Sequence, residues 1–99
     1  MRRSKLGSMI NAIVMIDAES HAIPETAQAV ADVDGVTEVY SCAGDVDLIA
    51  IVKVRDHAQI ADVITQHINK VPGVVNTATH IAFQSYSSAD IEAGFSIGE

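Results

Sequence analysis

The hydrophobic positions of this chain follow two kinds of pattern, strict alternation and helical spacing. Residues 9–16 and 47–54 are largely apolar on both sides of the alternation, which is typical of strands buried on both faces. Residues 36–42 and 74–84 predict two further strands. We therefore expect four strands, with the first and third paired at the centre of one sheet.

Two segments with helical spacing separate these strands. The first covers residues 23–33 and has Pro24 in its first turn. Its predicted buried stripe consists of Ala27, Val30, Ala31 and Val33. The second covers residues 57–69 and follows Asp56, which together with Gln59 predicts a capping box. The predicted order of elements is β-α-β-β-α-β.

A repeated phrase supports this order, because Val33-Asp34-Gly35-Val36 is echoed by Val71-Pro72-Gly73-Val74, 38 positions later. Both copies lie between a predicted helix and a predicted strand. Two helix-turn-strand units predict an α+β, ferredoxin-like domain, in which an antiparallel four-stranded sheet carries two helices on one face. The other face is apolar and therefore needs a ligand or a second protomer as its cover, and we expect at least a dimer.

Length and charge narrow the classes of function. We expect one domain at residues 9–85, a functionless leader or expression remnant at 1–8 and a C-terminal tail at 86–99. Residues 9–99 hold three basic and thirteen acidic side chains, a net charge of −10 with His neutral. Such a body repels a nucleic-acid duplex, and four aromatic residues offer little for stacking on single strands. We expect no direct nucleic-acid partner, no membrane contact and a cytoplasmic location.

The pattern of polar residues gives little support to a metal or nucleophilic site. The four histidines match no ligand spacing such as HxH or HxxxH, and Cys42 is the single cysteine. Cys42 is expected to be a small apolar filler at a strand end, and His67 to pack with its stem at the edge of the second helix. We therefore expect no metal, no cofactor and no catalytic residue.

The hairpin between the second and third strands is the main candidate for a site. Gly44-Asp45-Val46-Asp47 is either a tight turn solvated by its aspartates or the rim of a polar pocket. In a pocket, the turn N–H groups would bind a carboxylate and an Asp would bind an ammonium group. Thr77 and Thr79 share one face of the fourth strand, as ordinary strand formers or as paired hydroxyls for a small zwitterion.

Taken in order, these motifs resemble a known family. Val-x-Gly-Val, Gly-Asp-x-Asp-Leu, Pro-Gly-Val and Thr-x-Thr are similar to the pattern of the effector-binding domain of Lrp/AsnC (feast/famine) transcriptional regulators, also called the regulation-of-amino-acid-metabolism domain. The resemblance covers residues 9 to about 85. Because the family's DNA-binding winged helix-turn-helix has no counterpart before residue 9, the resemblance implies a stand-alone form of the domain.

The resemblance implies a non-enzymatic sensor of an amino acid or a similar small metabolite. In the family, sheet-to-sheet dimers assemble into rings, commonly octamers, and the ligand binds between dimers near the hairpin. The implied ligand-binding positions are Gly44, Asp45, Val46, Asp47, Thr77 and Thr79. Val46 departs from the family, where this position is often aromatic. The resemblance also implies co-assembly with a full-length regulator.

Two other classes of protein share this order of elements. Small dimeric α+β barrel enzymes of the monooxygenase type have a pocket between helices and sheet that presents His, Asn or Trp. In this chain, aliphatic groups dominate the corresponding positions, and Asn11 is the lone inward polar candidate. A regulatory ACT-type domain also binds amino acids, but it is normally fused to an enzyme. The sensor is the leading hypothesis.

Overall fold

The structure, a computed structural model, describes residues 9–84, 86 and 88. One antiparallel sheet in the order β2-β3-β1-β4 is formed by β1 (Ile10–Ala18), β2 (Val36–Ser41), β3 (Leu48–Val54) and β4 (Val74–Ala82). The predicted fold and the central pairing of the first and third strands are confirmed. The leader expected at 1–8 and most of the tail expected at 86–99 lie outside the described residues.

The first helix, α1, spans Ile23–Ala31 after a short 3-10 turn at Ser20–Ala22. Pro24 lies in its first turn, where the missing N–H of proline removes no helical hydrogen bond. The helix ends two residues before the predicted end, and Asp32 occupies its C-cap position. Val33 and Gly35 then form the turn into β2, and Gly35 has a φ of +98°.

The second helical segment has three parts. It begins as α2 (His57–Asp62), continues as a π-helical turn (Val63–His67) and ends as a 3-10 turn (Ile68–Lys70). The predicted capping box is present, since the Asp56 carboxylate accepts from the Gln59 backbone N–H at 3.0 Å. The expected extent of this helix is confirmed to within one residue, whereas its π-helical turn was not predicted.

The core lies between the helices and the sheet. Every second residue of β1 and β3 faces the helices, and six of these side chains are fully buried: Ala12, Val14, Ile16, Leu48, Ala50 and Val52. Val30 of α1 and Ile68 of the second helical segment belong to the same cluster and are also fully buried. Removal of this aliphatic surface from water is the main stabilising contribution to the fold.

The predicted buried stripe of α1 is wrong at one position. Ala31 is exposed, and Thr26 is instead 1% exposed. The Thr26 hydroxyl can be buried because it donates to the Pro72 carbonyl oxygen at 3.1 Å. Gly73 lies against this hydroxyl, and a Cβ at that position would collide with it.

Alternation along residues 36–42 of the sequence predicts that Val36 shares one face of the strand with Glu38 and Tyr40, and this prediction is wrong at Val36. The pairing with β3 shifts register between Val36 and Glu38, so that one extra residue, Thr37, is inserted. Val36 therefore packs against the core together with Val39. A bulge of this kind depends on the partner strand, so alternation along β2 alone cannot reveal it.

The face of the sheet away from the helices has no cover among the described residues. Ile13 and Met15 of β1 and Ile49 and Ile51 of β3 lie there half-buried. Asn11 shares this face, so its expected inward position towards the helices is wrong. Its Oδ1 atom is buried without a hydrogen-bond partner in the described part of the chain. We call these residues the open face.

Candidate functional site

The hairpin expected to form the site projects at the end of the sheet where β1 ends and β4 begins. Its base is held by main-chain hydrogen bonds: the Asp47 N–H donates to the Ile16 carbonyl at 3.1 Å, and the Cys42 N–H donates to the Asp47 carbonyl at 2.9 Å. Asp47 therefore connects both sides of the hairpin and the end of β1. These contacts fix the position of its backbone.

The Asp47 carboxylate is partly committed to the fold. Its Oδ2 atom accepts the Ala18 N–H at 2.8 Å. The Ala18 N–H points to the β3 side of β1, where the last ladder pair is Ile16 with Leu48, so it lies beyond the paired part of that ladder. The second carboxylate oxygen, Oδ1, accepts no hydrogen bond from the described residues. Asp47 can thus support the sheet with one oxygen and accept from a ligand with the other.

The loop that precedes Asp47 presents unused donors. The backbone N–H groups of residues 43–46 donate to no atom of the described residues. Gly44 has a φ of +131°, and no heavy atom lies within 4 Å of where its Cβ would be. Asp45 is exposed and Val46 is half-buried. A turn with successive free N–H groups is a recurrent binding element for anions such as a carboxylate.

The two threonines lie on the far side of β1. Ile16 pairs with Leu48 on one side and with Thr77 on the other, so Thr77 is two strand spacings from β3, about 10 Å. Thr77 donates through Oγ1 to Asn69 Oδ1 at 2.9 Å, whereas Thr79 is exposed. Both face the helix side of the sheet, on an edge strand.

One chain therefore does not bring all six predicted residues into one pocket. Gly44, Asp45, Val46 and Asp47 form one group, while Thr77 and Thr79 form a second group across β1. Within one chain, the two groups are separated by the width of β1. The sequence also did not reveal Asn69 and the Ala18 N–H, which are the partners that hold Thr77 and Asp47.

The structure contains a cleft at the opposite end of the sheet. It has a volume of about 390 Å³ and is lined in part by Lys53, Arg55 and His67. The His67 side chain is 54% exposed and its Nε2 atom lies 3.7 Å from Asp62 Oδ2, which is compatible with packing by its stem at the edge of the second helical segment. The sequence did carry one signal for this cleft, since two of the three basic residues after position 8 are Lys53 and Arg55.

The interior beneath the helices offers little for catalysis. The described core is aliphatic, and Thr26 is its one buried polar residue, with its hydroxyl engaged by Pro72. Within residues 9–84, 86 and 88, no group of three or more His, Cys, Asp or Glu is arranged to hold a metal ion. In the same part of the chain, no helix has the length and apolar character needed to cross a bilayer.

Comparison with known sequences identifies relatives of this arrangement. The family model of the Lrp/AsnC ligand-binding domain matches residues 11–90. The HTH-type transcriptional regulator LrpA1 of Halobacterium salinarum is 34% identical over 79 residues, which are 80% of this chain and 54% of that protein. The chain spans about half the length of the curated relatives it matches.

Solved structures show the same fold. The protein TTHA0845 from Thermus thermophilus is 38% identical, with a TM-score of 0.75, and the match covers 80% of this chain and 99% of that chain. A feast or famine regulatory protein from M. tuberculosis, solved with L-methionine, is 19% identical, with a TM-score of 0.70 over 89% of this chain and 59% of that chain. The second likeness concerns the fold alone.

Proposed function

Because the chain belongs to the Lrp/AsnC ligand-binding domain family, we propose that it is a non-enzymatic module that senses an amino acid or a similar small metabolite. It forms sheet-to-sheet dimers that assemble into larger even-numbered rings, with the octamer as the expected size. The ligand binds where the hairpin of one dimer meets β4 of another. The protein acts in the cytoplasm and needs no cofactor.

The observation that carries this proposal is the pairing of free donors and a free acceptor at the hairpin. The N–H groups of residues 43–46 are unused within the described residues, and Asp47 Oδ1 lies at the end of the same loop. The α-carboxylate of an amino acid needs N–H or hydroxyl donors, and its ammonium group needs an anionic acceptor. Asp47 is the better acceptor than the exposed Asp45, since it leads directly into β3.

The threonines complete the site from a neighbouring chain. Within one chain they are separated from the hairpin by β1, so they can contact the same ligand only across a junction. Thr79 is exposed and free to donate to a carboxylate, whereas Thr77 is held by Asn69. Binding at such a junction couples the ligand to the assembly, because a ligand that binds the assembled form favours it.

The open face supports the dimer. Its aliphatic side chains form a continuous patch across β1 and β3, and a standard interface buries about 800 Å² per partner. The complex of the M. tuberculosis protein with L-methionine supports an amino acid as the class of ligand. Val46 is smaller than the aromatic residue often found at this position in the family, so it leaves more room for the ligand side chain.

The wider role is indirect control of transcription. A net charge of −10 over residues 9–99 opposes direct contact with a DNA duplex. Mixed rings with a full-length regulator of the same family would use the same sheet and ring contacts. We expect a protein that begins at Met9 not to shift duplex DNA at physiological salt in a gel-shift assay, and salt-dependent binding would contradict this part of the proposal.

Calorimetric titration with the twenty amino acids tests the ligand site. Asp47→Asn keeps an oxygen that can accept from the Ala18 N–H but removes the charge, so the fold persists while affinity falls. The loss of one charge-assisted contact costs about 1.5–3 kcal/mol, about ten- to a hundred-fold in affinity. Thr79→Val should lower the affinity for the same ligand without altering the dimer.

Two matched variants serve as controls for this titration. Asp32→Asn removes a carboxylate at the end of α1, and Thr37→Val removes an exposed hydroxyl on β2. Both should bind the ligand like the parent protein. If Asp47→Asn and Thr79→Val also bind like the parent, the ligand site lies elsewhere and the assignment is wrong.

A further inference from the structure

The cleft of about 390 Å³ lies at the end of the sheet where β1 begins and β3 ends. Met9 lines it, whereas the hairpin lies beside Ala18 at the other end of β1, about 30 Å away by the rise of an extended strand. A volume of this size suits a small molecule. Any ligand bound here is therefore separate from a ligand at the hairpin.

The charges that line the cleft are unusual for this protein. Residues 9–99 contain three basic side chains, and two of them, Lys53 and Arg55, line this one cleft. The ion pairs formed among the described residues join His21 to Glu19 and His67 to Asp62. Neither Lys53 nor Arg55 thus has a carboxylate oxygen of the described residues within 4.0 Å. With Asp34 and Asp62 also in the lining, the formal charges of the cleft sum to zero with His neutral, in a body of net charge −10, so the cleft repels an anion less than the rest of the surface does.

The positions of these cations are supported by the fold. The Gln59 side-chain oxygen accepts the Arg55 N–H at 2.7 Å and the Asp56 N–H at 3.2 Å, so the turn after β3 is held by the capping box. The Lys53 N–H donates to the Gly35 carbonyl at 2.9 Å. Rigid main-chain support of this kind lowers the entropy lost when a ligand binds.

The helical wall of the cleft contains the π-helical turn. Asp62, Val63 and His67 line the cleft, and the turn spans Val63–His67. A π-helical turn brings residues five positions apart to the same side, which explains the approach of His67 to Asp62. Such turns are rare in helices and occur frequently at functional sites. The turn is a second feature, independent of charge, that points to the same place.

We propose that this cleft binds a small organic anion through its carboxylate or phosphate group. Arg55 contacts the anionic group, and its guanidinium can do so with two parallel hydrogen bonds. Lys53, which pairs with Asn11 and so projects on the open-face side, adds its positive charge at the edge of the cleft. Asp34 and Asp62 also line the cleft, so its lining favours an anion of low charge that carries a hydrogen-bond donor. Val54 and Val63 supply an apolar floor for the remainder of the ligand.

Thermal unfolding of the full chain with three probes tests this site. The probes are L-lactate, inorganic phosphate and the neutral analogue L-lactamide, all at the same ionic strength because salt screens charge. A ligand that binds the folded state raises the Tm. L-lactate, inorganic phosphate or both should raise it, and L-lactamide should not. The responses to lactate and phosphate distinguish a carboxylate from a phosphate ligand.

Charge-matched variants locate the site. Arg55→Gln and Lys53→Gln should each lower the affinity for the bound anion by about tenfold. Lys70→Gln removes the third basic residue, which lies outside the cleft and donates to Gln66 at 3.2 Å, and should leave the response unchanged. All three residues are exposed, so each variant should fold, as circular dichroism can check.

Three results would overturn the proposal. The first is no rise in Tm with either anion, or an equal rise with L-lactamide. The second is a parent-like response in both Arg55→Gln and Lys53→Gln. The third is a Tm response to the anion that falls as much in Lys70→Gln as in Arg55→Gln. This would mean that anion binding depends on the total charge of the protein and not on the cleft.

Discussion

The two faces of the sheet have similar residues but different surroundings. Along β1, Val14 and Ile16 point to the helices and are fully buried, whereas Ile13 and Met15 point the other way and stay half-buried. Both sets are aliphatic, so residue type does not distinguish them. The difference teaches that burial on the helix side is completed within one chain, while the open face requires a second surface to leave water.

The buried polar groups of the two faces also differ, in whether they have a hydrogen-bond partner. On the helix side the buried hydroxyl of Thr26 has a partner at 3.1 Å. On the open face the buried Oδ1 of Asn11 has none among the described residues. Buried polar atoms are normally hydrogen-bonded, so within the described part of the chain the open face is the side with an unmet acceptor. A second chain that donates to Asn11 would complete it.

The largest expected effect is on the helix side. Ile16→Ala removes a fully buried side chain at the centre of the core and leaves a cavity, so the free energy of unfolding should fall by about 2–5 kcal/mol. Urea denaturation at two protein concentrations measures this loss. The loss should be the same at both concentrations, because the contacts removed lie within one chain. A loss below about 1 kcal/mol would mean that the core closes around the deletion.

The matched deletion on the open face should behave differently. Ile13→Ala removes the same atoms from a half-buried position, and we expect a loss of about 1–2 kcal/mol that depends on protein concentration. Sedimentation should show an assembly weakened by about tenfold or more. Ile13→Asp should dissociate it while circular dichroism stays that of the parent. If the parent protein sediments as a monomer at micromolar concentration, no second copy covers the open face and the expected difference between the two faces is wrong.

An effect of similar size is expected at the hairpin, where Asp47 supports the end of β1. Asp47→Ala deprives the Ala18 N–H of its acceptor, and Ala18 is buried, so stability should fall by about 1–2 kcal/mol. Asp47→Asn retains an acceptor oxygen and should cost less. Paired thermal unfolding measures the difference between the two variants. Equal losses would show that the charge, and not the hydrogen bond to Ala18, is the stabilising feature.

The smallest effect concerns pH on the open face. The Glu38 carboxylate, with smaller contributions from desolvation and a hydrogen bond to the same residue, raises the pKa of Tyr40 above its ordinary value of 10.0. The folded state thus holds the phenolic proton more tightly than the unfolded state. This contribution to stability is present below pH 10 and is lost as the pH rises through the raised pKa.

Phenolate absorbance in a Tyr86→Phe background isolates Tyr40, since the chain has two tyrosines. Glu38→Gln should lower the pKa of Tyr40 towards its ordinary value. Glu25→Gln, on α1, is the control and should leave the titration unchanged. If the pKa of Tyr40 is the same in Glu38→Gln as in the parent, the Glu38 carboxylate is not the main cause of the raised pKa.

Much of the fold and part of the candidate site were predictable from local pattern. The capping box follows from Asp56 and Gln59, three positions apart, and the central place of the first and third strands follows from their apolar residues on both faces. The hairpin was recognisable as a candidate because glycine and aspartate have distinctive turn chemistry. Its use as a ligand site, with Thr77 and Thr79, stays a prediction.

The features that were missed depend on contacts between residues far apart in the chain. Thr26 is buried because Pro72, 46 positions away, accepts its hydroxyl. The Asp47 carboxylate meets an N–H that lies 29 positions before it. The bulge at Thr37 appears only in the register of β2 against β3. No local pattern encodes these partners.

The sequence by itself determined the elements, their order, the acidic body and the family of this protein, because periodicity and turn residues act within a few positions. Only the tertiary structure decided which polar groups are used up and which remain free. Among the described residues, it left one Asp47 carboxylate oxygen without a donor, separated Thr77 from the hairpin by a strand and placed Lys53 and Arg55 around one cleft. Those outcomes depend on which strands pair and in what register, since pairing brings distant residues within hydrogen-bond reach.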